Sequence, residues 1–398
     1  MSSPSRRSAI KRTYSSNLDI ASRQSTALIF EFGSAFLRVG IAGEPRPRHI
    51  FPLKELALAS SPQRHILAEE HDHDHKYWTT NPSFPSDVFL TSSSGSGNSK
   101  LTLTYLHLGP WISNLYTNHL LLKPRSRKVL IILPIYHPPG LKTSLEQIFL
   151  QDLQVPSILF VNQFRTIPYA IGNQNTGVMV DIGQNEGRVV CFFNGKMMED
   201  TVEIVPIGYQ SLLQSLSLLK NDLEQGQHQH RHQHQHQKMV VEEVYFNFDN
   251  HDSLLYAFLT SLLRCSIDLR KQVVQHVVFV GGGVEAIANF EQRFIAKIQE
   301  LFESKGVVEC VASGSASGSG NGNDGSASDT SLVLVERNVY GVKHEKYQKF
   351  NALASVIMNT PLGVLYPLQF RPALMAWVGG SIMGSIKLPN DEWIHRSN

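Results

Sequence analysis

Two carboxylates stand where chemistry could be done. Glu31 lies two places before Gly33 in Leu28-Ile29-Phe30-Glu31-Phe32-Gly33-Ser34-Ala35-Phe36-Leu37-Arg38-Val39, and Asp181 lies two places before Gly183 in Val178-Met179-Val180-Asp181-Ile182-Gly183. In each copy apolar runs flank a short turn, which reads as a β-hairpin; the return strand of the second is Arg188-Val189-Val190-Cys191-Phe192-Phe193. The small turn residues Gly33-Ser34-Ala35 let an anion approach the main chain closely, as Gly-rich phosphate loops do, and Glu31 and Arg38 set one charge of each sign beside that turn. A purely structural hairpin accounts for the first stretch taken alone. The echo at Asp181 makes a duplicated unit facing a shared cleft the first hypothesis for the chain.

Other stretches carry weaker signals. His276 to Val280 reads as a strand, Gly281-Gly282-Gly283 as a turn and Val284 to Phe302 as a helix, the order that brings a backbone against a nucleotide. A tight strand-to-helix connection explains it without a ligand, and a lone Gly triplet is a weak signal. Ala376 to Gly384 is expected to repeat this grammar, a strand followed by a Gly379-Gly380 helix start. His71-Asp72-His73-Asp74-His75 and the His/Gln tract from Gln227 to Gln237 hold metal-ligating side chains, but alternation in a loop supplies no fixed geometry. Both read as solvated low complexity.

The elements that must position these residues alternate between strand and helix. Strands buried on both faces are expected at Lys128–Leu133 and Ser157–Val161, with helices at Trp111–Leu122 and Leu141–Leu153 between and before them. Gln163 follows the second of these strands directly. Further on, Thr201–Val205 reads as a strand, Tyr209 to about Leu219 and Ser253–Cys265 as helices, Ile267–Gln272 as a polar turn and Lys349–Met358 as a helix. The pattern is that of an α/β protein with a mixed or parallel sheet.

With 398 residues the chain has room for two or more domains, and 36 basic against 34 acidic residues give a net charge of +2, too balanced for a global field that would recruit nucleic acid or an anionic membrane. The three cysteines, Cys191, Cys265 and Cys310, are far apart and point to a reducing compartment. No apolar run reaches the length of a membrane helix.

Taken together, these stretches resemble the actin family. The matches are Phe32-Gly33-Ser34 with Arg38-Val39-Gly40-Ile41-Ala42-Gly43, Val155-Pro156-Ser157 leading to Gln163, Asp181-Ile182-Gly183, Phe279-Val280-Gly281-Gly282, and Trp377-Val378-Gly379-Gly380-Ser381-Ile382, in family order. His119 to Val129 and Cys265 to Gln272 resemble its divergent branch at the pointed end of the dynactin filament. The resemblance implies an actin-like fold: two duplicated ribonuclease-H-like lobes around a nucleotide cleft. The first lobe would comprise 26–170 and 344–398 with an irregular insertion at 53–100. The second would comprise 171–343 with low-complexity loops at 226–238 and 311–330. Residues 1–25, Ser-rich and basic, are expected to form a disordered tail.

The same resemblance implies a cytoplasmic, cytoskeletal filament cap without catalytic residues. Its partners would be actin-related filament subunits and other dynactin pointed-end subunits, with dynein and cargo reached indirectly, and neither nucleic acid nor direct membrane insertion. By position Glu31, Gly33, Ser34, Arg38, Gln163, Asp181, Gly183, Gly281 and Gly282 would bind ATP or ADP, with Glu31 and Asp181 holding Mg²⁺ through its waters. Three departures weaken hydrolysis. Glu31 is one methylene longer than the family's Asp, Gln184 replaces a second acid, and Arg188 falls near the family's His beside the attacking water. An active ATPase or small-molecule kinase of this fold, and a nuclear chromatin-complex subunit, are the alternatives.

Overall fold

The computed structural model describes residues 26–53, 108–137, 140–172, 175–225, 233–312, 332–343, 345–365, 368–386 and 388–396. The N-terminal stretch 1–25, nearly all of the insertion at 53–100 with His71–His75, and residues 226–232 and 313–330 lie outside the described residues, whereas 233–238, expected as loop, are helical and 311–312 end a strand.

The first sheet is built around β1 (Leu28–Phe32), whose five residues are all buried. It pairs antiparallel with β2 (Phe36–Ile41), and the register places Glu31 opposite Arg38. After β3 (His49–Pro52) comes α1, residues 108–114 running on as a π-helical segment, Leu115–Leu120. β4 (Val129–Leu133) then lies parallel to β1. Its sequence Val-Leu-Ile-Ile-Leu does not alternate because both faces are covered. α2 (Leu141–Glu146, extended by Gln147–Asp152) leads to β5 (Ser157–Asn162), parallel to β4, and then to α3 (Gln163–Ile171), capped by the Asn162 side chain.

The second sheet opens with the same grammar. β6 (Gly177–Ile182) and β7 (Gly187–Phe193) form a hairpin with Asp181 opposite Arg188. Its closing bond, Gly183 N–H to the Glu186 carbonyl at 3.0 Å, matches that from Gly33 to Phe36 at 2.9 Å. β8 (Lys196–Met197) and β9 (Glu203–Val205) both pair with β7. Four helices follow: α4 (Tyr209–Gln225), α5 (Gln233–Phe246), α6 (Leu254–Arg264) and α7 (Ile267–Val274). β10 (Val277–Val280) is parallel to β6 as β4 is to β1, and Val277 bridges in parallel to Val364.

The chain continues through α8 (Gly282–Ala286), α9 (Phe290–Glu300), the long hairpin of β11 (Phe302–Ala312) and β12 (Leu332–Val342), and α10 (Asn351–Asn359). α11 (Met375–Ser385) then precedes β13 (Ile394–His395), which returns to the first sheet against β5. One buried cluster joins Ile29, Leu130 and Ile132 of the first sheet, Met179, Val190 and Val278 of the second, Phe164 of α3 and Trp377 of α11, so these two helices are packed between the sheets. The outer faces carry their own cores, centred on Phe30 and Phe149 in one and on Phe258, Phe290 and Phe294 in the other.

Several expected elements change. Ala376–Gly384 is helical throughout, because its glycines serve helix packing: a Cβ on Gly379 would lie 1.9 Å from the Thr166 carbonyl of α3, and one on Gly380 2.3 Å from Ile132 Cδ1. Ile267–Gln272 is helix α7 rather than a turn, with Arg270 buried and bonded to the carbonyls of Cys265 and Leu263. The single helix expected from Val284 to Phe302 is two, broken at 287–289 where Asn289 takes φ +52°, and Phe302 begins β11. Glu199–Thr201 is a 3₁₀ turn, so the strand expected at Thr201–Val205 is confined to β9, and α4 runs beyond Leu219 to Gln225.

Candidate functional site

The parallel strands of both sheets point their carboxyl ends at one cleft, the position at which open α/β sheets bind ligands. The β1–β2 turn, Pro134 after β4, Gln163 after β5, the β6–β7 turn and Gly281 after β10 all line it, and it encloses about 360 Å³. That is within the usual size range of a small-molecule site. Glu31, Gly33, Ser34, Arg38, Gln163, Asp181, Gly183, Gly281 and Gly282 are all on its walls, so the residues singled out from the sequence come together. Gln184, Arg188 and Tyr209 line it as well.

The glycines after β10 have distinct reasons to be there. Gly281 takes φ +95°, and a Cβ on it would fall 2.4 Å from Asp181 Oδ1 and from the Ile182 carbonyl. Gly282 faces open space, with no atom within 4 Å of a Cβ position. The first is required by backbone conformation and close approach to β6, while the second leaves bare main chain beside the cleft.

Charge in the cleft is paired internally. Arg38 Nη1 donates to Glu31 Oε1 at 2.5 Å, with the two side chains 15% and 9% exposed. Glu31 Oε2 and Arg38 Nε are buried without partners. Burial raises the Glu31 pKa, the Arg38 charge and hydrogen bond pull it back, and the Asp181 charge raises it further. On the facing hairpin Arg188 Nη1 donates to Asp181 Oδ2 at 2.6 Å, and the Gln163 amide donates to the same oxygen at 2.9 Å. Arg188 also grips Glu186 through Nε and Nη2. Burial alone would lower the Arg188 pKa, but the Glu186 and Asp181 charges outweigh it and hold the guanidinium charged.

This donor set does not fit a magnesium ion. Glu31 and Asp181, the carboxylates that would order its waters, each spend an oxygen on a guanidinium, which places a fixed positive charge where the cation would be drawn. Among the described residues no group of three or more His, Cys, Asp or Glu is placed to hold a metal. Gln184, in place of a further acid, donates its amide to Gln210 at 3.0 Å. Gln163, counted from the sequence among the nucleotide-cleft residues, has its amide N–H committed to Asp181.

The double grip of Arg188 and the part played by Glu186 were not read from the sequence. The signal was present, since Glu31/Arg38 and Asp181/Arg188 share the same spacing across a hairpin, which puts each pair directly opposite in the ladder. Glu186 carries no such signal, because its role depends on where the Arg188 side chain goes.

The family model for actin matches residues 109–243. Actin-related protein 10 of Dictyostelium discoideum is 23% identical over 208 residues, a match that covers 50% of this chain and 41% of the relative's own length. The chain thus spans about two fifths of the curated relative it matches. Among the described residues no helix is long and apolar enough to cross a membrane. The family match runs from α1 into α5 and takes in Gln163, Asp181, Gly183 and Arg188, so this stretch of the chain is similar to actin.

Proposed function

We propose that this chain is a non-catalytic, actin-related structural subunit that caps the pointed end of the dynactin actin-like filament and so supports dynein-driven, microtubule-based transport in the cytoplasm. The observation that carries the non-catalytic part is the lock at Asp181, where Arg188 and Gln163 converge on one carboxylate oxygen while Arg188 also holds Glu186. Phosphoryl transfer rests almost wholly on positioned charge and an oriented water. Here the groups that would supply both are bonded to one another. The two hairpins and the parallel strands beside them support a duplicated architecture, with lobes at 26–170 plus 344–398 and at 171–343 meeting at the cleft.

ATP or ADP is the ligand proposed for the cleft, with the bare backbone at Gly282, the turns at Gly33-Ser34 and Gly183, and Arg38 as its contacts. Such a nucleotide would act as a wedge between lobes. The stretches His119–Val129 and Cys265–Gln272, together with a relative named Actin-related protein 10, support the dynactin assignment. Quantitative mass spectrometry of proteins copurifying with the tagged full chain tests it. Actin-related filament subunits, other pointed-end subunits and dynein are expected. Recovery of chromatin-remodelling subunits without dynein or dynactin would overturn the proposal.

A further inference from the structure

The cleft uses the carboxyl ends of the parallel strands, and the opposite end of the first sheet has a different character. The β2–β3 connection carries Arg46 and Arg48, the turn before β4 carries Lys123, Arg125, Arg127 and Lys128, and Arg396 follows β13. Backbone pairing brings these segments to one end: Leu28 N–H donates to the Lys128 carbonyl, Arg48 N–H to the Val39 carbonyl, and Arg396 N–H to the Pro156 carbonyl just before β5. Arg46, Arg48, Lys123, Arg125 and Arg396 are exposed. Glu44, on the same connection as Arg46 and Arg48, is paired with Arg48 at 2.6 Å, and of the two acids before β13, Asp391 and Glu392, the second is paired with Arg165 at 2.5 Å. A chain of net charge +2 has therefore concentrated positive charge on one face.

Arg127 Nη1 donates to Thr26 Oγ1 at 2.6 Å and to its carbonyl at 3.0 Å, which fixes the start of the first sheet to the same face. One further observation points to a partner there. Leu121, at the end of α1 and two residues before Lys123, is 79% exposed and sits at φ +52°. Leu121 is the left-handed C-cap of α1, its N–H bonded to the Tyr116 carbonyl; a leucine is an unfavourable choice for that backbone, and its exposed side chain gains nothing from burial. An apolar side chain standing out of a basic rim is the arrangement of an interface anchor.

We infer that this face binds an acidic protein segment, with Leu121 as its apolar contact and Lys123, Arg125 and the neighbouring arginines answering its carboxylates. Titrating the full chain into a fluorescein-labelled oligo-glutamate peptide carrying one leucine, read by anisotropy, tests this. Binding that weakens with added salt is expected. Lys123→Glu with Arg125→Glu should weaken it about tenfold, since two attractions become repulsions. Leu121→Gly should weaken it several-fold while the thermal midpoint holds or rises, because glycine relieves the positive φ. Equal binding by all three proteins would overturn the inference. So would a preference for phosphatidylserine vesicles over the peptide, which would make the face a membrane contact. Copurification with dynactin is unaffected by either result, so this inference and the proposed function fail separately.

Discussion

Arg188→Met removes the one cation shared by two buried carboxylates. Arg188, Asp181 and Glu186 are 4%, 6% and 1% exposed, so neither acid can recover its lost partner from water. Removing one member of a buried ion pair costs about 3–5 kcal/mol, because the other charge is left uncompensated. The Gln163 hydrogen bond at 2.9 Å remains for Asp181, whereas Glu186 Oε2 already lacks a partner, so Glu186 bears the greater penalty. With a urea slope of about 2–3 kcal/mol/M, the denaturation midpoint should fall by about 1–2 M. The sign of the pH dependence follows from linkage. Without Arg188 each buried carboxylate carries an uncompensated charge when ionised, and taking up a proton at low pH removes that penalty. The deficit should therefore be smaller at pH 5 than at pH 7. Adding Glu186→Gln to Arg188→Met should restore part of the midpoint and flatten the difference between the two pH values. Urea titrations followed by far-UV circular dichroism at both pH values measure this. A cost below about 1 kcal/mol, or a deficit identical at pH 5 and 7, would refute the view that this cluster is a buried electrostatic lock.

Two glycines give opposite expectations on the same scale. Gly379→Ala drives a methyl group into the Thr166 carbonyl at 1.9 Å and should cost about 3 kcal/mol or more, whereas Gly282→Ala meets nothing within 4 Å and should shift stability by less than about 1 kcal/mol. Thermal midpoints of the pair check the contrast. At Glu31 the folded-state pKa is raised, chiefly by burial, so its contribution to stability is present below its ordinary value of 4.5 and lost as pH rises through the raised pKa. Relative to Glu31→Gln, the parent protein should accordingly gain stability on acidification from pH 7 towards 4.5, a trend that urea midpoints across that range will show or exclude. If the proposed capping role is exerted through the low-complexity stretches of the chain, deleting 60–98 together with 226–238 should leave binding to the filament end intact but allow elongation, as read in a filament growth assay. Undiminished capping would count against a role for these stretches in blocking growth.

The legible and illegible parts of this chain differ for physical reasons. The two hairpins, the doubly buried strands at 129–133 and 157–162, and the convergence of Glu31, Gln163, Asp181 and Gly281 on one cleft follow from local signals: apolar runs, turn residues and glycines after strands. α11 misled because its apolar residues and paired glycines are as compatible with a strand and turn as with a helix. What decides between them is Thr166, whose hydroxyl lies 2.9 Å from the Ala376 carbonyl across the α3–α11 contact, a partner more than two hundred positions away. The same holds at the site. Spacing alone aligns Arg188 with Asp181, but the grip on Glu186 exists only once β7 curls the side chain back onto its own turn.

The central claim, a cleft kept for holding structure together and not for turnover, is tested most directly by phosphate release from the purified full chain under single-turnover conditions with ATP and Mg²⁺. The lock of Arg188 and Gln163 on Asp181 predicts no release above the buffer background. Stoichiometric phosphate release that is abolished by Gln163→Ala would contradict it.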